Sequence, residues 1–371
     1  MLYKYRNVVS IPPLGMIDDL GAVARCGPES VILNSVINAK INMKKLQFNK
    51  TKCVKLHICK ENRKLCPKDE EAQSRNVKCV FLSAQDTEMV SADSEKYIGD
   101  VISSTGSNDA NISRRVSIGM GAISQIFGIL NEISFGYNFI EIGMIMRESV
   151  LLSKILLSAE SWHKLFQYQI DKLEEVDKIF YRKLFNSHPK TGEEFFFSET
   201  GTVSIKLKLS MRRLIYWWNI LHVNKSEMIY KVYKAQKLSP VGGDWIHLLD
   251  RDKQQFGIHV SDEHIQTVSL YKFKQFVKKK ASELMIRYLL GLQQKHSKSK
   301  YIDVEDLEMS PYLLDSRFNK VEREMLFKLR SRTISTIFFF FQMHISIMIC
   351  SANFASYSPV HKFTFFNAPA W

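Results

Sequence analysis

Cysteine is scarce in this 371-residue chain, which has only Cys26, Cys53, Cys59, Cys66, Cys79 and Cys350, and no signal peptide opens the sequence. Disulfides are therefore not expected, and the thiols read as reduced side chains of a nuclear or cytoplasmic protein. Cys53, His57 and Cys66, with Cys59 or Cys79 as a fourth partner, match no standard zinc-finger spacing. Strand packing is the expected role, and zinc is not expected. Acids are also in short supply, 38 Asp and Glu against 52 Lys and Arg, for a net charge of +14 and a pI near 9.3. That balance favours a polyanionic partner or an anionic surface. With 45% hydrophobic and 24% charged residues, the composition excludes a disordered chain and allows two or three domains.

What is present begins with two adjacent carboxylates, Asp18 and Asp19, inside the apolar stretch Leu14-Gly15-Met16-Ile17-Asp18-Asp19-Leu20. A buried or half-buried Asp is costly unless paired or coordinated, so the setting points to a metal site. A plain turn at Gly15 is the competing reading of the dipeptide alone. Val8, Val9 and Ile11, the break at Pro12-Pro13, Leu14 to Ile17 and Leu20 to Val23 read as two short strands meeting at the acidic pair. A helix is expected over 29–45, with Val31, Ile32, Ser35, Val36, Ala39 and Met43 inward. Strands are expected over 53–59 and over 96–102, the latter as one continuous element.

This order resembles the carboxyl-terminal half of the palm of a non-LTR retrotransposon reverse transcriptase, with Met16-Ile17-Asp18-Asp19 at the family's aromatic-x-Asp-Asp motif. Lys45-Leu46-Gln47-Phe48-Asn49, Lys52-Cys53, Leu56-His57-Ile58 and Cys66-Pro67 resemble the following segments. Lys96, Tyr97, Ile98 and Gly99, followed by Asp100, resemble the motif that grips the primer end. The similarity continues through Gly106 to Asp109, Asn111-Ile112, Arg114-Arg115, Ala159 to Trp162, Leu173-Glu174 with Asp177, Arg212-Arg213-Leu214 and Gly243-Asp244-Trp245. These look like the thumb and post-thumb of elements that pair the polymerase with a site-specific endonuclease.

The resemblance implies RNA-directed DNA polymerisation, a nucleotidyltransferase activity of a transposable element, with RNA and DNA as partners and no small-molecule cofactor beyond Mg²⁺. Asp18 would be the main metal ligand and Asp19 a weaker or structural neighbour. Two-metal transfer holds cations about 4 Å apart with carboxylates from more than one strand. In the family a further Asp and the nucleotide-binding fingers precede the motif, and no later acid in this chain takes that role by pattern. Met16 also stands where many polymerases have Tyr or Phe. The expectation is a truncated remnant, catalytically incompetent alone. The alternatives are a salt-dependent RNA- or DNA-binding module and a non-functional pseudoprotein.

Helices are expected over 111–130, where Arg114 and Arg115 occupy the first turns as nucleic-acid candidates, over 142–162, over 170–184 and over 205–223. In the last, Arg212-Arg213 precede Tyr216-Trp217-Trp218. Aromatics beside arginines can stack on bases, but packing is the expected role of the tryptophans and the arginines are the nucleic-acid candidates. From Tyr271 to Lys300 the chain carries Lys278, Lys279 and Lys280 among many cations, with Glu283 the single acid. Phe273, Phe276, Val277, Met285, Tyr288 and Leu289 read as the apolar side of a basic helix.

The segment 324–332 resembles the run before the family's zinc knuckle, yet no knuckle follows. Ile334 to Cys350 instead forms an apolar stretch of 17 residues with Gln342 and His344 in its middle, at the lower limit of a membrane span. A read-through tail is the expectation and a membrane anchor the alternative. The fold class expected is α+β: a small antiparallel palm remnant over 1–102, a helical thumb over 103–225, a basic helical connector over 226–333 and an apolar tail over 334–371.

Overall fold

The computed structural model describes residues 14–16, 19–21, 27–44, 53–56, 83–84, 87–88, 90–97, 99–132, 139–163, 165–238, 244–295 and 306–331. Asp18, Ile98, His57, the cysteines other than Cys53, and the tail from 332 onward lie outside them. The chain is mostly helical with small two-stranded sheets, an α+β composition.

Strands β1 (Leu14–Met16) and β2 (Asp19–Gly21) form an antiparallel hairpin closed by the pair Met16 and Asp19. Asp19 thus falls at the closing end of the hairpin, as expected from the two apolar runs that flank the acidic pair. Helix α1 (Gly27–Met43) follows. Its expected inner face is not covered among the described residues: Ile32, Ser35, Val36, Ala39 and Met43 are all exposed there. Short pairs β3 (Val54–Lys55) with β6 (Val90–Ser91), parallel, and β4 (Ser83–Ala84) with β5 (Thr87–Glu88), antiparallel, come next.

The expected single strand over 96–102 is instead a hairpin of β7 (Ser94–Tyr97) and β8 (Asp100–Ser103), with Tyr97 opposite Asp100. Gly99 accounts for the difference. Its φ of 87° lies in the left-handed region that glycine adopts without steric cost, and the chain reverses there.

A helical body follows. Helix α2 (Asp109–Glu132) starts after β8, and α3 (Phe139–Met146) begins the stretch expected as one helix over 142–162. That stretch is broken: α3 passes into a π turn at Arg147–Leu151, then α4 (Leu152–Ile155) and a 3₁₀ turn at Ala159–Ser161. Ser149 and Ser153 donate to carbonyls one turn back, a habit that competes with the regular ladder. Ser158, with φ 58°, then turns the backbone out of helical geometry.

Helices α5 (Gln167–Leu184), α6 (Glu193–Thr200) and α7 (Ile205–His222) complete the first half of the body. Helices α8 (Met228–Leu238), α9 (Trp245–Gln255), α10 (Asp262–Thr267), α11 (Leu270–Lys295), α12 (Pro311–Leu314) and α13 (Lys320–Arg330) complete the second. Helix α2 packs on α5, and α7 packs on α9 and α11. One hydrophobic core runs from Ile112 to Phe327 and crosses the sequence-based boundary at 225/226. Helix α12 packs on α3, and α13 is seated by Phe327, whose ring stacks on Phe185 at 4.2 Å and on Phe196 at 5.5 Å. Gly201, with φ 63°, ends α6 and leaves room for the backbone of Glu308. Beside it, buried Glu199 accepts from Ser310 and Arg330, both at 2.6 Å.

Candidate nucleic-acid interface

Helix α11 is built from residues that favour helix, with Ser269 at its start: the Lys272 amide donates to Ser269 Oγ at 3.4 Å. Its inner stripe, Phe273, Val277, Ala281, Met285 and Leu289, repeats every fourth residue, and each side chain is almost fully buried. Fourth-residue ridges drift around a helix and suit an oblique crossing, here against α7. Trp217 of α7 meets Phe273 edge to face at 6.2 Å, and the Trp218 indole donates to the Val268 carbonyl at 2.9 Å. Both tryptophans thus pack. Phe276 and Tyr288, expected on the inner side, are exposed instead, because the fourth-residue stripe leaves them off the face that meets α7.

The outer side of α11 carries the charge. Lys272, Lys274, Lys278, Lys279 and Arg287 are all exposed, and no carboxylate stands within ion-pair distance of them among the described residues. Lys280 is half-buried and pairs with Glu283 at 2.7 Å; that hydrogen bond holds the Glu283 carboxyl below its ordinary range. No acid lies in the first turn of this helix. Lys272, in that turn, therefore faces the positive end of the helix dipole unopposed, and Lys274 and Lys278 repel each other at i, i+4.

The other candidate cations are used internally. Arg115 is 2% exposed and donates to Gly99 O at 2.8 Å and to Asp100 Oδ1 at 2.6 Å. Arg114 donates to the same Gly99 carbonyl at 2.5 Å, and Asn111 donates to Asp100 at 3.2 Å. The first turns of α2 thereby clamp the β7–β8 turn, the segment that resembles a primer grip. Within that segment Lys96 is exposed and Tyr97 half-buried. Arg213 is 1% exposed and pairs with buried Asp252, which also accepts from Ser210 Oγ at 2.9 Å. Desolvation pushes the Asp252 carboxyl up and the Arg213 guanidinium down, each against the pull of the other. Arg212 reaches back to the Leu156 carbonyl at 3.1 Å, with Glu160 at 3.6 Å. Of the seven basic candidates in 103–333, only Lys278 and Lys279 are exposed with no carboxylate within ion-pair distance among the described residues, although Lys279 also helps to hold the Glu283 carboxyl down.

The hairpin of β1 and β2 brings Asp19 beside the turn, and Asp18 lies outside the described residues. Among the described residues no group of three or more His, Cys, Asp or Glu side chains is placed to hold a metal, and Asp18, one of the two expected Mg²⁺ ligands, lies outside them. Of the residues weighed for zinc only Cys53 is described, and its half-buried thiol is pushed up by desolvation. No helix among the described residues is long and apolar enough to cross a membrane.

Sequence reading missed one buried cluster. Arg147, fully buried on the π turn, donates from Nε and Nη2 to the two carboxylate oxygens of Asp177 at 2.7 and 2.6 Å, and from Nη1 to Glu148 at 2.6 Å. Lys208 of α7 closes on the same Glu148 at 2.9 Å. No periodicity announces a charge inside an apolar run. Comparison of the chain with family models, with curated proteins and with solved structures finds no match.

Proposed function

We propose that this chain binds RNA or DNA through the outer face of α11, as a module of retrotransposon reverse-transcriptase ancestry. One observation carries the binding reading: the first half of α11 gathers exposed lysines, Lys272, Lys274, Lys278 and Lys279, none within ion-pair distance of a carboxylate among the described residues, with Lys272 in the first turn where the helix dipole disfavours it. A placement that lowers the stability of the free protein is expected where a ligand relieves it, and a row of phosphates relieves both the dipole and the mutual repulsion. The ancestry reading is supported by the order of the motifs and by a hairpin whose closing pair is Met16 and Asp19.

Binding is tested by fluorescence anisotropy of labelled RNA and DNA over a potassium chloride series. Joint replacement Lys278→Gln, Lys279→Gln and Lys280→Gln is expected to weaken binding and to lower the slope of log K against log salt by about 0.7–0.9 for each phosphate no longer neutralised. Asp18→Ala is expected to leave binding unchanged. An unchanged slope in the triple variant would remove the proposed surface.

Polymerisation is the second reading, favoured by that same hairpin. Bound Mg²⁺ would supply charge stabilisation for attack of a primer hydroxyl on a deoxynucleotide phosphate, with Asp18 and Asp19 as its protein ligands. Those two carboxylates are adjacent in sequence, whereas the chemistry needs carboxylates from more than one strand. The isolated chain is therefore expected to incorporate no nucleotide in a primer-extension assay with Mg²⁺. Incorporation that Asp18→Ala abolishes would establish the polymerase reading instead.

A further inference from the structure

We infer that the α11 ridge selects single-stranded nucleic acid, with bases stacking on Tyr271 and Phe276 while phosphates lie against Lys272, Lys274, Lys278 and Lys279. This deepens the binding reading above and rests on it. Tyr271 is 72% exposed and Phe276 is 39% exposed, whereas Phe273 and Val277 of the same half of the helix are buried. Among the described residues neither ring stacks on another aromatic or receives a cation. Their faces are open.

The placement of the rings relative to the charges gives the ligand class. At about 100° per residue, Lys272 and Lys279 fall on the arc between Tyr271 and Phe276. Lys274 and Lys278 stand at i+3 and i+7 from Tyr271, on its far side, and Lys280 stands at i+4 from Phe276. The first half of α11 thus presents two open rings set among cations, with Gln275 the one uncharged polar residue of the outward arc. Cations alone attract any polyanion, duplex or single strand. Open rings discriminate, because a duplex keeps its base faces within the stack while a single strand offers them to aromatic side chains.

The test compares a labelled oligo-uridylate and oligo-thymidylate with a duplex and with an abasic strand of equal phosphate count, using the full chain and anisotropy as the readout. Wild type is expected to bind the single strands about tenfold or more tighter than the duplex or the abasic strand. The double variant Tyr271→Ala and Phe276→Ala is expected to lose that preference, with little change on the duplex and an unaltered salt slope. Both side chains are exposed, so its circular-dichroism melt should match wild type, and single variants serve if it does not. Equal affinity of wild type for duplex and single strand, or an equal weakening on both in the double variant, would overturn the inference. If Lys274→Gln, Lys278→Gln and Lys279→Gln together leave every probe unaffected, the basic-face reading fails with it. If the lysines matter and the rings do not, stacking alone fails.

Discussion

Four arginines, Arg115, Arg147, Arg213 and Arg323, rank among the largest fully buried side chains of the protein. Burying such a charge is tolerable only with partners, and Arg147 is surrounded by them: Asp177 on two nitrogens, Glu148 on the third and the Tyr181 ring at 4.8 Å. Desolvation draws its guanidinium down, but Asp177 with Tyr181 and Glu148 outweighs it and the net shift is upward. Removing one partner leaves a charge stranded, so Asp177→Ala should cost about 3–5 kcal/mol in urea unfolding. The apolar pair Arg147→Met with Asp177→Leu should recover most of that stability. A second residue-scale prediction concerns pH. Buried Asp262 accepts from Lys237 Nζ at 2.7 Å and from the Tyr233 hydroxyl at 2.8 Å. Desolvation pushes its carboxyl up, yet those hydrogen bonds prevail and hold it below the ordinary range. Its folded pKa is below its unfolded one, so it adds stability above about pH 4 that disappears as the pH falls through the folded value. Urea midpoints should drop in that acidic window for wild type and less steeply for Asp262→Asn.

At the scale of elements, helix α2 shows how neighbouring glycines differ. A Cβ on Gly119 would meet Ile155 Cγ2 at 2.7 Å and Val176 Cγ1 at 2.8 Å, whereas one on Gly121 would meet nothing within 4 Å. Gly121→Ala should therefore raise stability by up to about 1 kcal/mol through helix propensity, and Gly119→Ala should lower the melting temperature despite the same propensity gain. Elements with an uninterrupted period were legible: α2 exceeds the expected 111–130 by two residues at each end, and α7 starts at Ile205 as expected. The hairpin that ends at Asp19 was legible from the two short apolar runs on either side of the acidic pair. The β7–β8 reversal was not, because Lys96 to Ile102 reads as continuous β-favouring sequence and the decision lies in the backbone angle of one residue, Gly99. The break at 147–161 was also hidden, since the apolar pattern persists through the π turn while the ladder shifts under it.

The whole molecule does not divide where composition does. Trp217, assigned by sequence to the helical thumb, meets Phe273 of α11, Lys253 of α9 over its ring at 4.6 Å and Tyr233 of α8 at 3.2 Å. Arg213 in the same helix relies on Asp252 of α9. A fragment of 103–225 would strand that charge in an apolar face and expose Trp217 to water. It is expected to melt without cooperativity and to bind a hydrophobic dye, whereas 99–331 should unfold in one transition. Two independent cooperative transitions within 99–331 would contradict a shared core.

The sequence by itself determined the positive charge, the positions of α2, α5 and α7, the hairpin that ends at Asp19 and the concentration of lysines in α11, because each follows from local composition and period. Tertiary structure alone decided which cations face solvent. Arg115 and Arg213 look in sequence like Lys278 and Lys279, a basic residue beside another basic residue. Asp100 and Asp252, distant in the chain, turn the first two inward, while the fourth-residue stripe of α11 leaves the lysines outside. Burial of a charge depends on a partner brought from elsewhere, and no local pattern encodes that partner.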